Sequence, residues 1–181
     1  MSADYKQKLH TIIEAKKKEM PSQGSVNAIL SIMATLQETP RYLRSVAPRF
    51  PEERSRVPIM EGKRSFRQTV EHLLNIEALH YTTIYPAFLL PTPDVYPLHA
   101  ERHIARLQLF DSFTMEELLT VFEFERRKSL SFLESLTAGD WLRTIREQGK
   151  KRQESIYWRA RTLALHDVTH VHIIMFQLAA K

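Results

Sequence analysis

His166 and His170 stand four residues apart in "RARTLALHDVTHVHIIMFQLA", near the end of a 181-residue chain. On a helix that spacing puts the two imidazoles within about 40° of each other, which is how one helix offers two nitrogens to a single metal ion. The zinc-protease motif built on the same spacing has a glutamate after its first histidine as base. Asp167 stands there instead and points about 100° from His166, a poor stand-in but suited to an interhelix contact. Arg159 and Gln177 continue the line of the two histidines, and Leu163, Ile173 and Ile174 flank it, so a polar stripe crosses an apolar surface. His172 projects about 160° from His170 and is excluded from the same ligand set.

Two histidines alone have an ordinary alternative, a buried hydrogen-bonded pair. The metal reading needs a third imidazole from elsewhere. "FRQTVEHLLNIEALHY" offers His72 and His80, and the Pro-rich stretch "LLPTPDVYPLHAERHI" offers His99 and His103, the latter pair also suited to the surface or to a cap. The apolar face of the first stretch is centred on Phe66, Val70, Leu73, Tyr81, Ile84 and Phe88. Glu77 lies in its middle, His80 on one edge and His72 further round. Helical geometry leans slightly to His80 and leaves the choice open.

The elements that must position these residues are helices. Residues 1–20 read as a short polar helix ending near Pro21. "SVNAILSIMATLQETPRYLRSV" carries Ile29, Ile32, Met33 and Leu36 at helical spacing, with Pro40 expected to kink or divide it. A long connection, "APRFPEERSRVPIMEGKR", precedes a second long helix that Ser65 can cap. A third opens at Ser112 or Thr114 and stops before Gly139, and a fourth occupies about 156–180. Four amphipathic segments of about 20 residues predict an all-α protein, an antiparallel four-helix bundle with a short extra N-terminal helix. The division is an N-terminal helical extension over 1–20 and a single bundle domain over 21–181.

Composition narrows the chemistry. With no cysteine the chain has neither disulfides nor thiolate ligands nor a sulfur nucleophile. No apolar run approaches the ~18 residues of a membrane span, and the start of the chain has no signal-peptide core, which gives the expectation of a cytoplasmic protein without membrane contact. A net charge of +5 raises the question of nucleic acid. The basic clusters at 16–18, 126–128 and 150–152 have glutamates close by and no interleaved aromatics, as solvated helix faces do, so nucleic acid is not the expected partner.

"FRQTVEHLLNIEALHY" resembles the second-helix motif of the DinB-like (DinB/YfiT) metal-dependent proteins, a histidine-leucine pair followed by an acidic residue. "ARTLALHDVTHVHII" resembles that family's last-helix motif, H-D-x-x-H before an apolar turn. The likeness covers about residues 25–180 and implies the four-helix bundle. It also implies that His72, rather than His80, joins His166 and His170 around a divalent ion, usually zinc or nickel, with open positions. Glu77 matches the acidic position and is the expected general base, with Arg159 expected to meet an anionic substrate; a buried Glu77–Arg159 pair is the structural alternative. The family includes transferases and isomerases that use a low-molecular-weight thiol. The implied function is thus a metal-dependent thiol transferase, isomerase or hydrolase acting on a small molecule. The alternative is a non-catalytic bundle with a structural metal or a ligand. Relatives often form dimers, so a homodimer is expected, with Trp141 or Trp158 as exposed aromatics to serve it.

Overall fold

The computed structural model describes residues 3–58, 60 and 62–179. Among the described residues six α-helices form: α1 (Ala3–Glu19), α2 (Val26–Val46), the single turn α3 (Glu52–Ser55), α4 (Phe66–Leu89), α5 (Met115–Glu134) and α6 (Ile156–Ala179). Residue 180, expected in the last helix, lies outside the described residues, as does the side chain of Tyr81. Each long helix starts where its sequence provides an oxygen for the free amide groups of the first turn. Ser25 Oγ accepts from Ala28 N. Ser65 and Gln68 form a reciprocal capping box on α4, and Thr114 and Glu117 form another on α5.

The four long helices make the expected four-helix bundle, but only two of its neighbouring pairs are antiparallel as expected, and the directions are set by paired residues. Leu36 of α2 meets Arg126 of α5, while Arg44 meets Glu116 and Glu123, so α2 and α5 are antiparallel. His72 of α4 meets His166 of α6 and His80 lies beside Leu163, so α4 and α6 are antiparallel as well. The remaining neighbours run parallel. Glu77 and Phe88 of α4 face Arg126 and Phe132 of α5, and α2 follows α6 from Gly24 beside Tyr157 to Tyr42 beside His172. Parallel neighbours need long connections. Residues 90–114 must therefore travel back along the bundle before α5 can begin.

On the way this connection forms β1 (Asp94–Val95), which pairs in parallel with β2 (Thr144–Glu147); β2 pairs antiparallel with β3 (Glu154–Ser155) just before α6. It then makes a wide helical turn over Ala100–Ile104, where His99 Nδ1 accepts from Glu101 N and Arg102 N, and His103 Nδ1 accepts from His99 N. His99 and His103 are thus local caps.

The core has two apolar clusters. One gathers Ile32, Leu36, Ile84, Ile156 and Leu163; the other gathers Leu43, Phe50, Phe66, Leu73 and Phe122. Between them lies a charged layer. Arg126, fully buried, donates to Glu77 Oε2 from Nε (3.1 Å) and Nη2 (2.9 Å), to Asp167 Oδ2 (2.6 Å) and to Leu36 O (3.0 Å), while Ser129 Oγ donates to Glu77 Oε1. Pro40 explains the last acceptor of Arg126. It sits four residues after Leu36 inside an uninterrupted α2 and has no N–H for that carbonyl, which Arg126 takes instead. The expected kink site is a docking point, and one guanidinium joins all four helices.

The N-terminal extension, in its described part, is α1. It lies along α6, with Tyr5 edge-on to Phe176 at 4.9 Å and Met20 fully buried. Trp141, expected as an exposed aromatic, is 5% exposed and sits in the core. Trp158 is half-buried beneath the Arg152 guanidinium at 4.1 Å.

Candidate metal centre

α4 and α6 bring three imidazoles to one point. His72 Nε2 lies 3.0 Å from His166 Nε2, and His170 Nε2 lies 3.2 Å from His166 Nε2. Nitrogens that share one ion at about 2.0–2.1 Å stand roughly 3 Å apart, so the spacing fits a common ion. The electrostatics fit too. Burial pushes His166 down to about 4 and His170 down to about 2, the latter helped by the other two imidazoles, and burial also lowers His72. All three rings are therefore neutral at pH 7, the form that ligates a metal.

The tautomer of His72 is fixed from outside. Its Nδ1 lies 2.5 Å from Glu101 Oε1, so the proton sits on Nδ1 and the Nε2 lone pair faces the other histidines. Arg64 holds the same carboxylate at 3.0 Å. Glu101 belongs to the connection between α4 and α5, and the sequence reading missed it because nothing in local spacing ties that connection to α4. Nδ1 of His166 is buried without a hydrogen-bond partner among the described residues.

His72 and His170 open onto a cleft of about 660 Å³, walled by Lys63, Arg64, Glu71, Asn75, Glu101 and Ile173 among others.

Two expected catalytic residues do not join this cleft. Glu77 is buried in the charged layer with both oxygens engaged by Arg126 and Ser129, so it is no free base. Its arginine partner is Arg126, from the run "RRK" read as part of a basic surface. Arg159 is bound at the far end of the bundle by Glu147 and, at 2.8 Å, by Glu154. Asp167 turns from the histidines to Arg126, as its direction on the helix implied. His80 sits two turns along α4 from His72, with Nδ1 buried and unpartnered beside a very small cavity. His172 points to the opposite side, towards Lys16 and Tyr42. The other basic clusters are matched by acids: Lys16 with Glu19, Lys17 with Glu14, and Lys150 with Glu147 and Glu154.

A four-helix bundle with long crossover connections and three converging imidazoles, two of them lining a cleft, defines a class of helical proteins with a histidine cluster suited to a metal ion. The DinB superfamily model matches residues 35–174, and the chain belongs to that superfamily. Among solved structures the chain is similar to YfiT from Bacillus subtilis, described as "a probable metal-dependent hydrolase with an unusual four-helix bundle topology". The two share 19% sequence identity at a TM-score of 0.74, over 88% of this chain and 91% of that one. Among curated proteins, none matches this chain.

Proposed function

We propose that this protein is a divalent-metal-dependent enzyme acting on a small molecule, with hydrolysis as its reaction and His72, His166 and His170 as the ligands. The observation that carries this reading is the convergence of three neutral imidazole nitrogens, with His72 and His170 lining an open cleft. The description of YfiT as a probable metal-dependent hydrolase supports it. A divalent ion held there supplies Lewis acidity and makes a bound water or thiol acidic near neutral pH. The chain's own residues do the rest. Glu101 keeps the His72 proton on Nδ1, and Arg126 ties α4 to α6 so that their imidazoles stay in register. Zinc and nickel both suit three imidazoles.

A second reading is thiol transfer or isomerisation, with a low-molecular-weight thiol as co-substrate. It is favoured by the complete absence of cysteine, which leaves any sulfur nucleophile to come from outside. Cobalt-substituted protein separates the two, since a thiol bound to the ion gives a charge-transfer band in the near ultraviolet and an oxygen ligand does not. We further propose a cytoplasmic homodimer, which light scattering tests by mass.

The primary test is metal content after purification without a histidine tag. About one equivalent is expected in the wild type and almost none in His170→Ala. Less than about a tenth of an equivalent in the wild type, unchanged by that substitution, sinks the proposal.

A further inference from the structure

Asn75 lies one turn beyond His72 on α4 and walls the same cleft, with His170 and Ile173 of α6 nearby. It is 6% exposed, yet its side-chain amide has no hydrogen-bond partner among the described residues. Its polar neighbours on α4 are committed: Thr69 Oγ1 donates to Ser65 O, Gln68 closes the capping box, and His72 holds Glu101. An amide offers two donors and an acceptor oxygen, and those of Asn75 are left to the open cleft rather than to a protein partner. The group is directed at the contents of the cleft.

We propose that Asn75 is the substrate-orienting residue of this site, donating its N–H to the carbonyl oxygen of a small ester or amide lying beside the three histidines. This rests on the metal-dependent hydrolase reading above and gives it a substrate class. Hydrolysis of such a compound adds one water across the acyl bond. It yields an acid and an alcohol or amine, the leaving group taking up the second hydrogen of the water. Charge gathers on the carbonyl oxygen as the carbon is attacked, and a fixed amide donor stabilises that charge. A thiol sulfur, a weak acceptor, gains little from the same donor.

The test uses the full chain, zinc and acetohydroxamate, a small acyl probe that binds through its oxygens. By calorimetry, Asn75→Leu is expected to hold zinc within about twofold of the wild type and acetohydroxamate about tenfold more weakly. Metal-free Asn75→Leu is expected to melt within about 2 °C of the wild type, because no hydrogen bond within the protein is lost. Unchanged hydroxamate binding, zinc affinity lost in parallel, or a melting temperature lower by more than that shows that the amide supports the bundle rather than the ligand. Any of these overturns the inference while leaving the metal reading intact. Wild-type protein that takes up no zinc removes the metal reading and this inference with it.

Discussion

Replacing Arg126 by methionine keeps an unbranched side chain of fair length and removes the charge that joins α2, α4, α5 and α6. Four hydrogen bonds disappear: two to Glu77, one to Asp167 and one to the Leu36 carbonyl. Burial works against the Arg126 charge, yet Asp167 and Glu77 outweigh it and raise its pKa, so the guanidinium is a full cation facing two acids. Removing one partner of a buried ion pair costs about 3–5 kcal/mol, because the other charge is left in a dry interior. The Pro40-freed carbonyl adds about 1 kcal/mol. A total near 4–6 kcal/mol is comparable with the whole stability of many domains and corresponds to a fall in Tm of roughly 10–20 °C. Urea unfolding followed by circular dichroism measures it. The decisive companion carries Arg126→Met with Glu77→Gln and Asp167→Asn. With no stranded charge left, it should regain more than half of the loss. A single variant within about 1 kcal/mol of the wild type, or a triple variant no better than the single one, refutes the account of a charge-locked centre.

Three further outcomes are expected. Glu101→Ala leaves the metal-free protein's Tm within about 2 °C, since that side chain is 42% exposed, but weakens zinc binding about 10–100-fold by releasing the His72 ring; competition with a chromogenic chelator reads the affinity, and unchanged affinity disproves the role. Chelation with EDTA should lower the wild-type Tm and leave that of His170→Ala where it was, a difference that scanning calorimetry detects. His80 is pushed down to about 3, by burial first and then by the charges of Arg159 and Arg126, so the unfolded chain takes up a proton that the folded one refuses. Its contribution to stability is complete above the unfolded value of about 6.5. It then drains away as pH falls towards 3, at up to about 1.4 kcal/mol per pH unit. His80→Leu should show a shallower acid slope in urea titrations between about pH 6 and 4, and equal slopes count against it.

Local grammar was readable in the sequence, and long-range assembly was less so. Ser65 and Thr114 announce helix starts because a cap is an interaction within one turn. His166 and His170 announce a shared face for the same reason. His72 was not separable from His80 by periodicity, since the apolar face of α4 is centred on the core and the histidine cluster sits at its edge; family resemblance supplied that choice. Helix direction is invisible to periodicity, so nothing in the segments showed that α4 and α5 run parallel. Arg126 looked like one member of a basic run because its burial depends on Glu77 and Asp167 arriving from two other helices. Glu101 had no local signature at all, as its position is fixed only once residues 90–114 are laid along the bundle.

That last segment has a consequence for how such a site diverges. The strand that must double back so that two neighbours can point the same way is also the one that delivers the carboxylate gripping His72. Away from its few anchoring residues much of it faces solvent, Tyr96, Leu98, Leu107 and Leu109 among the exposed side chains. Insertions or substitutions there can therefore retune the reactivity of the imidazole cluster and the shape of its opening, while the four-way guanidinium clasp beneath keeps the scaffold unchanged.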